Sequence, residues 1–209
     1  MVGKQQSQAG DQTLLRQINL SAILNHIRIE TPISRAILAE RTGLNKATIS
    51  NLVNELISKK FVKELGVKNS GIGRPSSLLV LNPEAGFILS SEIGVDFISV
   101  IGTDFSPNIL FEVTKKIEPN LDPPIVIEML ISILKKAQNK CSKHVGNNFL
   151  GLALGVPGLV DFESGCLLFA PNLQWKDIPL KNILSSEFDA PIFVDNEANL
   201  AALGEYFFG

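Results

Sequence analysis

Cysteine, histidine, tryptophan and tyrosine are scarce in this 209-residue chain, with two, two, one and one copies. Cys141 and Cys166 show no Cys-x-x-Cys spacing, so neither a disulfide framework nor a zinc site is indicated, and two buried or half-buried thiols are expected. His26 and His144 stand alone in sequence, as surface or helix-end residues without a metal role do. Long apolar runs are missing too. "FILSSEIGV" and "NFLGLALGV" are too short to span a bilayer, and "MVGKQQSQAGDQ" lacks the apolar core of a signal peptide. With 45% hydrophobic and 19% charged residues, a cytoplasmic globular protein with no membrane contact is expected.

What is present divides by charge. Through Asn82 there are eleven Lys or Arg against five Asp or Glu; beyond it there are eight against sixteen. A basic module over 1–82 points to nucleic acid, and an acidic one over 83–209 points to a different partner.

In the basic module, Leu14, Leu15, Ile18, Ala22, Ile23 and Ile27 recur at helical spacing and predict an amphipathic helix from Thr13 to Ile29, which Pro32 prevents from continuing. Ser34 is a candidate N-cap for a short helix through Arg41; "TGL" is a turn; Asn45 is a second N-cap. The next helix shows one apolar face, Ile49, Leu52, Val53, Leu56 and Ile57. That spacing leaves Lys46, Thr48, Ser50, Asn51 and Asn54 to point elsewhere.

Two short helices around a glycine turn are the helix-turn-helix arrangement, whose second helix reads the major groove. A three-helix bundle with a solvated polar face is the plainer alternative. The strands expected at Phe61–Leu65 and Leu78–Leu81 add a hairpin of the winged type. Its tip, "GIGRPS", carries Arg74, which suits a narrow minor groove. The candidate DNA contacts to a double-stranded operator are therefore Ser34, Arg35, Asn45, Lys46, Thr48, Ser50, Asn51 and Arg74.

The acidic module reads as three extended runs, a helix near Pro124–Ser142 with Ile125, Met129, Ile133 and Ala137 on one face, and a strand "NFLGLALGV". A hairpin "GLVDFESGCLLFA" follows, then a helix near Leu180–Phe188, a strand "PIFVD" and a closing helix. Three meandering strands followed by alternating helices and strands predict an α/β domain of the ribonuclease H-like, actin-like ATPase type.

The pieces "NKATISNLVNELISKKFV", "GRPSSLLVLNP", "GLALGVPGLVD", "APNLQW" and "DNEANLAALGE" occur in the order found in the ROK family (repressor, open reading frame, kinase). The chain resembles that family from about residue 13 onward, and within it the repressors of sugar catabolism. The resemblance implies an N-terminal winged helix-turn-helix, a homodimer, and a monosaccharide effector such as xylose or glucose that relieves repression. It also implies sugar ligands at Gly158, Asn172, Asn196 and Glu197, with Gly155 letting the backbone approach the ring. Trp175 is a candidate for stacking on a sugar, or for the core or its rim.

ROK kinases carry a phosphate loop Asp-x-Gly-Gly-Thr, matched here by "EIGVD", where Val95 and Asp96 replace the second glycine and the threonine. Their Asn-Asp-Ala-Asn motif is matched by "NEAN", so Glu197 stands where the catalytic Asp would be. The added methylene moves the carboxylate by about 1.5 Å, and a misplacement of that order costs roughly 100-fold in rate. No catalytic residue, cofactor or metal is therefore expected, and the repressor is preferred over an ATP-dependent sugar kinase or a module that only dimerises. The family's second half, which completes the sugar site and carries a zinc cluster, would follow the "AALGE" helix. The ROK domain is thus expected to be truncated at Gly209.

Overall fold

The computed structural model describes residues 3–66 and 77–208, and side-chain surroundings within 12–66 and 77–207. The chain divides into two compact units, Met1–Ala85 and Gly86–Gly209. Arg74 lies outside the described residues.

The first unit runs α1 (Gly3–Ile29), β1 (Ile33–Ser34), α2 (Arg35–Thr42), α3 (Lys46–Ser58), β2 (Val62–Leu65) and β3 (Leu78–Leu81). α2 starts where Ser34 Oγ accepts from the Ile37 amide at 3.3 Å, and it ends at Gly43 with φ 70°. Glycine takes that left-handed conformation without a Cβ penalty, which lets the chain turn sharply. α3 begins at Asn45, whose Oδ1 accepts from the Thr48 amide at 2.8 Å. Both caps are the residues expected from sequence.

Ile49, Leu52, Val53 and Leu56 of α3 are buried with Leu38 of α2, Ile23 and Ile27 of α1, and Val62 and Leu79 of the hairpin. Each such side chain contributes about 1.5–3 kcal/mol on burial. β3 lies between β1 and β2, antiparallel to both. The two-residue β1 has too little sequence to show a pattern and was not expected.

The α1 stripe differs from expectation at its N-terminal end. Ile23 and Ile27 are fully buried, whereas Leu14, Leu15 and Ile18 are 55%, 58% and 53% exposed. Helical spacing is present along the whole stripe, but the core of this unit reaches only the last turns of the helix. At its end, Glu30 accepts from Arg41 Nε at 3.0 and 3.1 Å and faces His26 Nδ1 at 3.2 Å. The Arg41 hydrogen bond, with His26 adding to it, holds the Glu30 carboxyl below its ordinary value.

The second unit contains β4 (Phe87–Ile93), β5 (Phe97–Asp104), β6 (Ile109–Lys116), α4 (Pro123–Val145), β7 (Phe149–Val156), β8 (Leu159–Asp161) and β9 (Cys166–Ala170). It continues with β10 (Trp175–Ile178), α5 (Leu180–Glu187), β11 (Ile192–Asn196) and α6 (Glu197–Phe208). A five-stranded sheet runs in the order β11-β7-β4-β5-β6. β4, β5 and β6 form the antiparallel meander, while β7 and β11 run parallel to β4. This is the α/β class expected of the acidic half.

Alternation along β4 sends Phe87, Leu89 and Ile93 into the core and leaves Ser90 and Glu92 on the opposite face. The core is closed by Leu130, Leu134, Ala137 and the free thiol of Cys141 on α4, with Leu180 and Leu184 on α5. Burial pushes the Cys141 thiol up from its ordinary value. The expected α4 face is corrected by about one position: Val126, Leu130, Leu134 and Cys141 join Ile133 and Ala137 inside, and Ile125 is 47% exposed. Eight of the ten residues from Ile125 to Leu134 are apolar, so spacing alone does not mark the centre of the buried face.

A second small sheet has the order β10-β9-β8. β10, preceded by Gln174 at φ 58° and containing Asp177 at φ 52°, is too irregular to show strand alternation and was not expected. Its Trp175 is 2% exposed, which places that ring in the core. Among the described residues no helix is long and apolar enough to cross a membrane.

Candidate functional site

Each unit brings candidate residues together. In the first, α3 is held by its buried inner face, so helical geometry turns Ser50, Asn51 and Asn54 outward. Lys46, Asn51 and Asn54 are exposed; Ser50 and Thr48 are half-buried. Ser34 and Asn45 use their side-chain oxygens as helix caps, and Ser34 is only 7% exposed. Arg35 donates Nη2 to Asn54 Oδ1 and to Glu64 Oε1, both at 2.9 Å. The sequence names Arg35 and leaves Asn54 on the outward face, but it neither joins the two nor points to Glu64. No local pattern marks contacts formed across 19 and 29 residues.

In the second unit, β11 delivers Asp195 and Asn196 to the start of α6. Asn196 Oδ1 accepts from the Ala198 amide at 2.8 Å and so caps the helix, while its Nδ2 donates to the Gly158 carbonyl at 2.9 Å. Asp195 Oδ1 accepts from the Asn196 amide at 2.7 Å and from Asn199 Nδ2 at 3.0 Å. Asn199 is a positioning contact that the sequence reading missed; its four-residue spacing from Asp195 at a helix start was the available signal.

Gly158 lies where a side chain could not. A Cβ there would come within 2.6 Å of the Phe169 carbonyl and 2.9 Å of Ala170 Cβ. The β8–β9 pairing therefore sets Gly158 beside Ala170, two residues before Asn172, which is exposed on the turn closed by Gln174 N to Pro171 O. Gly158 and Asn196 are thus joined directly, and Asn172 is at the same end of the small sheet.

Glu197 follows Asn196 at the first position of α6. Its Oε2 is shut off from solvent and has no hydrogen-bond partner among the described residues. A buried acceptor left without a donor costs about 1–3 kcal/mol. The side chain lines a cavity of about 510 Å³ between α6 and the sheet, together with Ser90, Glu92, Ser99 and Gly155. Gly155 packs against the start of α6, where a Cβ would stand 3.5 Å from Glu197 Cα, an ordinary contact. Ser90 and Ser99 were not singled out from sequence, and Glu92 entered only as the first residue of "EIGVD"; polar residues recurring on one face of apolar strands were the signal.

The stretch compared with a phosphate loop is a tight turn between β4 and β5. Gly94 N donates to Phe97 O at 2.8 Å, and a Cβ on Gly94 would meet the Phe97 ring at 2.2 Å. Val95 and Asp96 are exposed on this turn. Among the described residues no group of three or more His, Cys, Asp or Glu side chains is placed to hold a metal ion.

The sequence profile of the ROK family matches residues 88–209. The xylose repressor of Caldicellulosiruptor bescii is 38% identical over 96% of this chain and 50% of its own length. That of Bacillus subtilis is 37% identical over 95% of this chain and 51% of its own. A crystal structure of a ROK family transcriptional regulator, described as a homolog of the E. coli MLC protein, superposes with a TM-score of 0.73 at 25% identity, over 93% of this chain and 49% of that one. The chain therefore spans about half the length of the curated relatives it matches.

Proposed function

The chain belongs to the ROK family, and from that premise we propose that it is a sugar-responsive transcriptional repressor. Residues 1–82 form a winged helix-turn-helix that binds a double-stranded DNA operator as part of a homodimer. Residues 83–209 form the first half of a ribonuclease H-like sugar-binding domain, and a monosaccharide, xylose foremost, relieves repression.

One observation carries the reading. A capped helix pair presents the polar outer face of α3, with Lys46 and Asn51 exposed, in the basic part of a chain whose near-full-length matches are named xylose repressors. Hydroxyl and amide groups on such a face pair with base edges, and the lysine anchors on phosphate. Arg74, which falls between β2 and β3 in the sequence, is assigned to an adjacent minor groove.

In the sugar site, Glu197 lines the cavity between α6 and the sheet, and a carboxylate accepts from the hydroxyls of a sugar. Asn172 offers donor and acceptor together, and Gly158 keeps the backbone within reach of the ring. Asn196 acts mainly by holding Gly158 and α6 in place. Sugar binding weakens DNA binding only if the two conformations differ in sugar affinity, so the site must change shape as the spacing of the DNA-reading heads changes.

The β4–β5 turn supports a repressor over a kinase. The Phe97 ring covers Gly94, and Asp96 would place a negative charge beside any phosphate bound there. Isothermal titration with xylose tests the sensing half. Wild-type chain is expected to bind, and Glu197→Gln, which loses a charged acceptor, to bind at least about tenfold more weakly. Absence of binding to xylose and glucose alike would remove the sensing half.

A further inference from the structure

Arg35, the first residue of α2, joins three elements through one nitrogen. Its Nη2 donates to Asn54 Oδ1 on α3 and to Glu64 Oε1 on β2, at 2.9 Å in each case. A guanidinium only donates, so the Asn54 atom facing it is the carbonyl oxygen, and the amide orientation follows from chemistry. Asn54 Nδ2, with two hydrogens to give, is on the other branch of that amide. The residue is exposed, on the same outward face of α3 as Ser50 and Asn51.

Resting on the DNA-binding reading above, we infer that Arg35 is a positioning residue that turns the Asn54 amide so that its Nδ2 donates to the duplex, with Glu64 bracing Arg35. An asparagine free to use both ends of its amide pairs in bidentate fashion with adenine N6 and N7. With its oxygen turned toward Arg35, Asn54 no longer sets both ends of its amide against one adenine edge, and its Nδ2 hydrogens are the end left to face DNA. The partner is therefore an acceptor: a purine N7, a guanine O6 or a phosphate oxygen.

Glu64 has two effects on this arrangement. Its carboxylate fixes the guanidinium through a charge-assisted hydrogen bond. It also offsets one positive charge at the surface, which lowers the share of binding that is independent of sequence. The Glu64 side chain is 40% exposed, and exposed ion pairs add little stability. Its contribution is accordingly to orientation.

The test uses the full 209-residue chain and duplexes that it selects from a random-sequence pool. Every purine is replaced in turn by its 7-deaza analogue, and every phosphate by methylphosphonate, and affinities are measured for wild type, Asn54→Ala, Arg35→Ala and Glu64→Gln. At one modified position wild type is expected to lose about 3–10-fold in affinity, the range of a single hydrogen bond, and Asn54→Ala to lose nothing further there. A 7-deaza position identifies a base acceptor; a methylphosphonate position identifies a phosphate.

Arg35→Ala is expected to abolish that coupling while the effects of the other modifications stay the same, and Glu64→Gln to weaken it. Circular dichroism melts confirm that each variant is folded, and Glu64→Gln carries the test if Arg35→Ala is not. A uniform loss at all positions, or no position coupled to Asn54, would overturn the inference and leave DNA binding intact. A wild-type chain that selects no duplex would overturn both.

Discussion

Asn196 and Gly158, 38 residues apart, are joined by a hydrogen bond of 2.9 Å from the Asn196 side-chain amide to the Gly158 carbonyl. The same side chain caps α6 through its oxygen. One residue thus holds the start of the helix that carries Glu197 against the turn that leads into the small sheet.

Replacing Asn196 by alanine removes both contacts. A lost N-cap costs about 0.5–2 kcal/mol and a lost hydrogen bond about 0.5–1.5 kcal/mol, so a total of roughly 1–3 kcal/mol is expected. Asn196→Asp keeps the capping oxygen but loses the donor and sets a second carboxylate beside Asp195. Urea unfolding should rank wild type above Asn196→Asp, and that variant above or equal to Asn196→Ala.

Two glycines near the site should differ sharply. Alanine at Gly158 places its Cβ 2.6 Å from the Phe169 carbonyl and 2.8 Å from Leu167 Cδ1, so backbone must move. Alanine at Gly155 meets Leu200 Cδ1 at 3.4 Å and the Glu197 backbone at 3.5 Å, which is ordinary contact. Gly158→Ala is expected to cost about 1–3 kcal/mol or more, and Gly155→Ala less than about 1 kcal/mol, by thermal melting.

The buried seam of α4 makes a second comparison. Leu134 is fully buried and Ile125 is 47% exposed. Leu134→Ala is expected to cost about 2–5 kcal/mol and Ile125→Ala less than about 1 kcal/mol in urea unfolding. Equal losses would return Ile125 to the core face where sequence spacing placed it.

Acid should expose the Glu30–Arg41 contact. The folded-state carboxyl lies below its ordinary value of 4.5, chiefly through the Arg41 hydrogen bond. A depressed carboxyl contributes stability that is fully present above the unfolded-state value and is lost as pH falls through the folded one. Glu30→Gln should therefore melt below wild type at neutral pH, with the gap closing as pH is lowered below about 4.5.

The elements set by short-range rules were legible in the sequence. Ser34 and Asn45 stand just before apolar periodicity begins, and each caps the helix it precedes. The β4–β6 meander follows from alternation and short turns. What escaped notice was set by tertiary packing: which turns of α1 meet a core, where the buried seam of α4 is centred, and the two-residue β1. The Arg35–Asn54–Glu64 cluster and the Asn196–Gly158 bond span long stretches of chain, so no local pattern announces them. The candidate sugar-site residues entered through family resemblance, and the structure supplies a reason for Gly158, where a Cβ would collide with the Phe169 carbonyl.

The most direct measurement of the repressor reading is fluorescence anisotropy of a labelled duplex selected by the full chain, titrated with protein in the presence and absence of xylose and of glucose. Binding that weakens with rising salt, and that one of these sugars reduces at least about tenfold, is the expected result. Affinity unchanged by either sugar, together with sugar-dependent ATP turnover in a coupled assay, would contradict it.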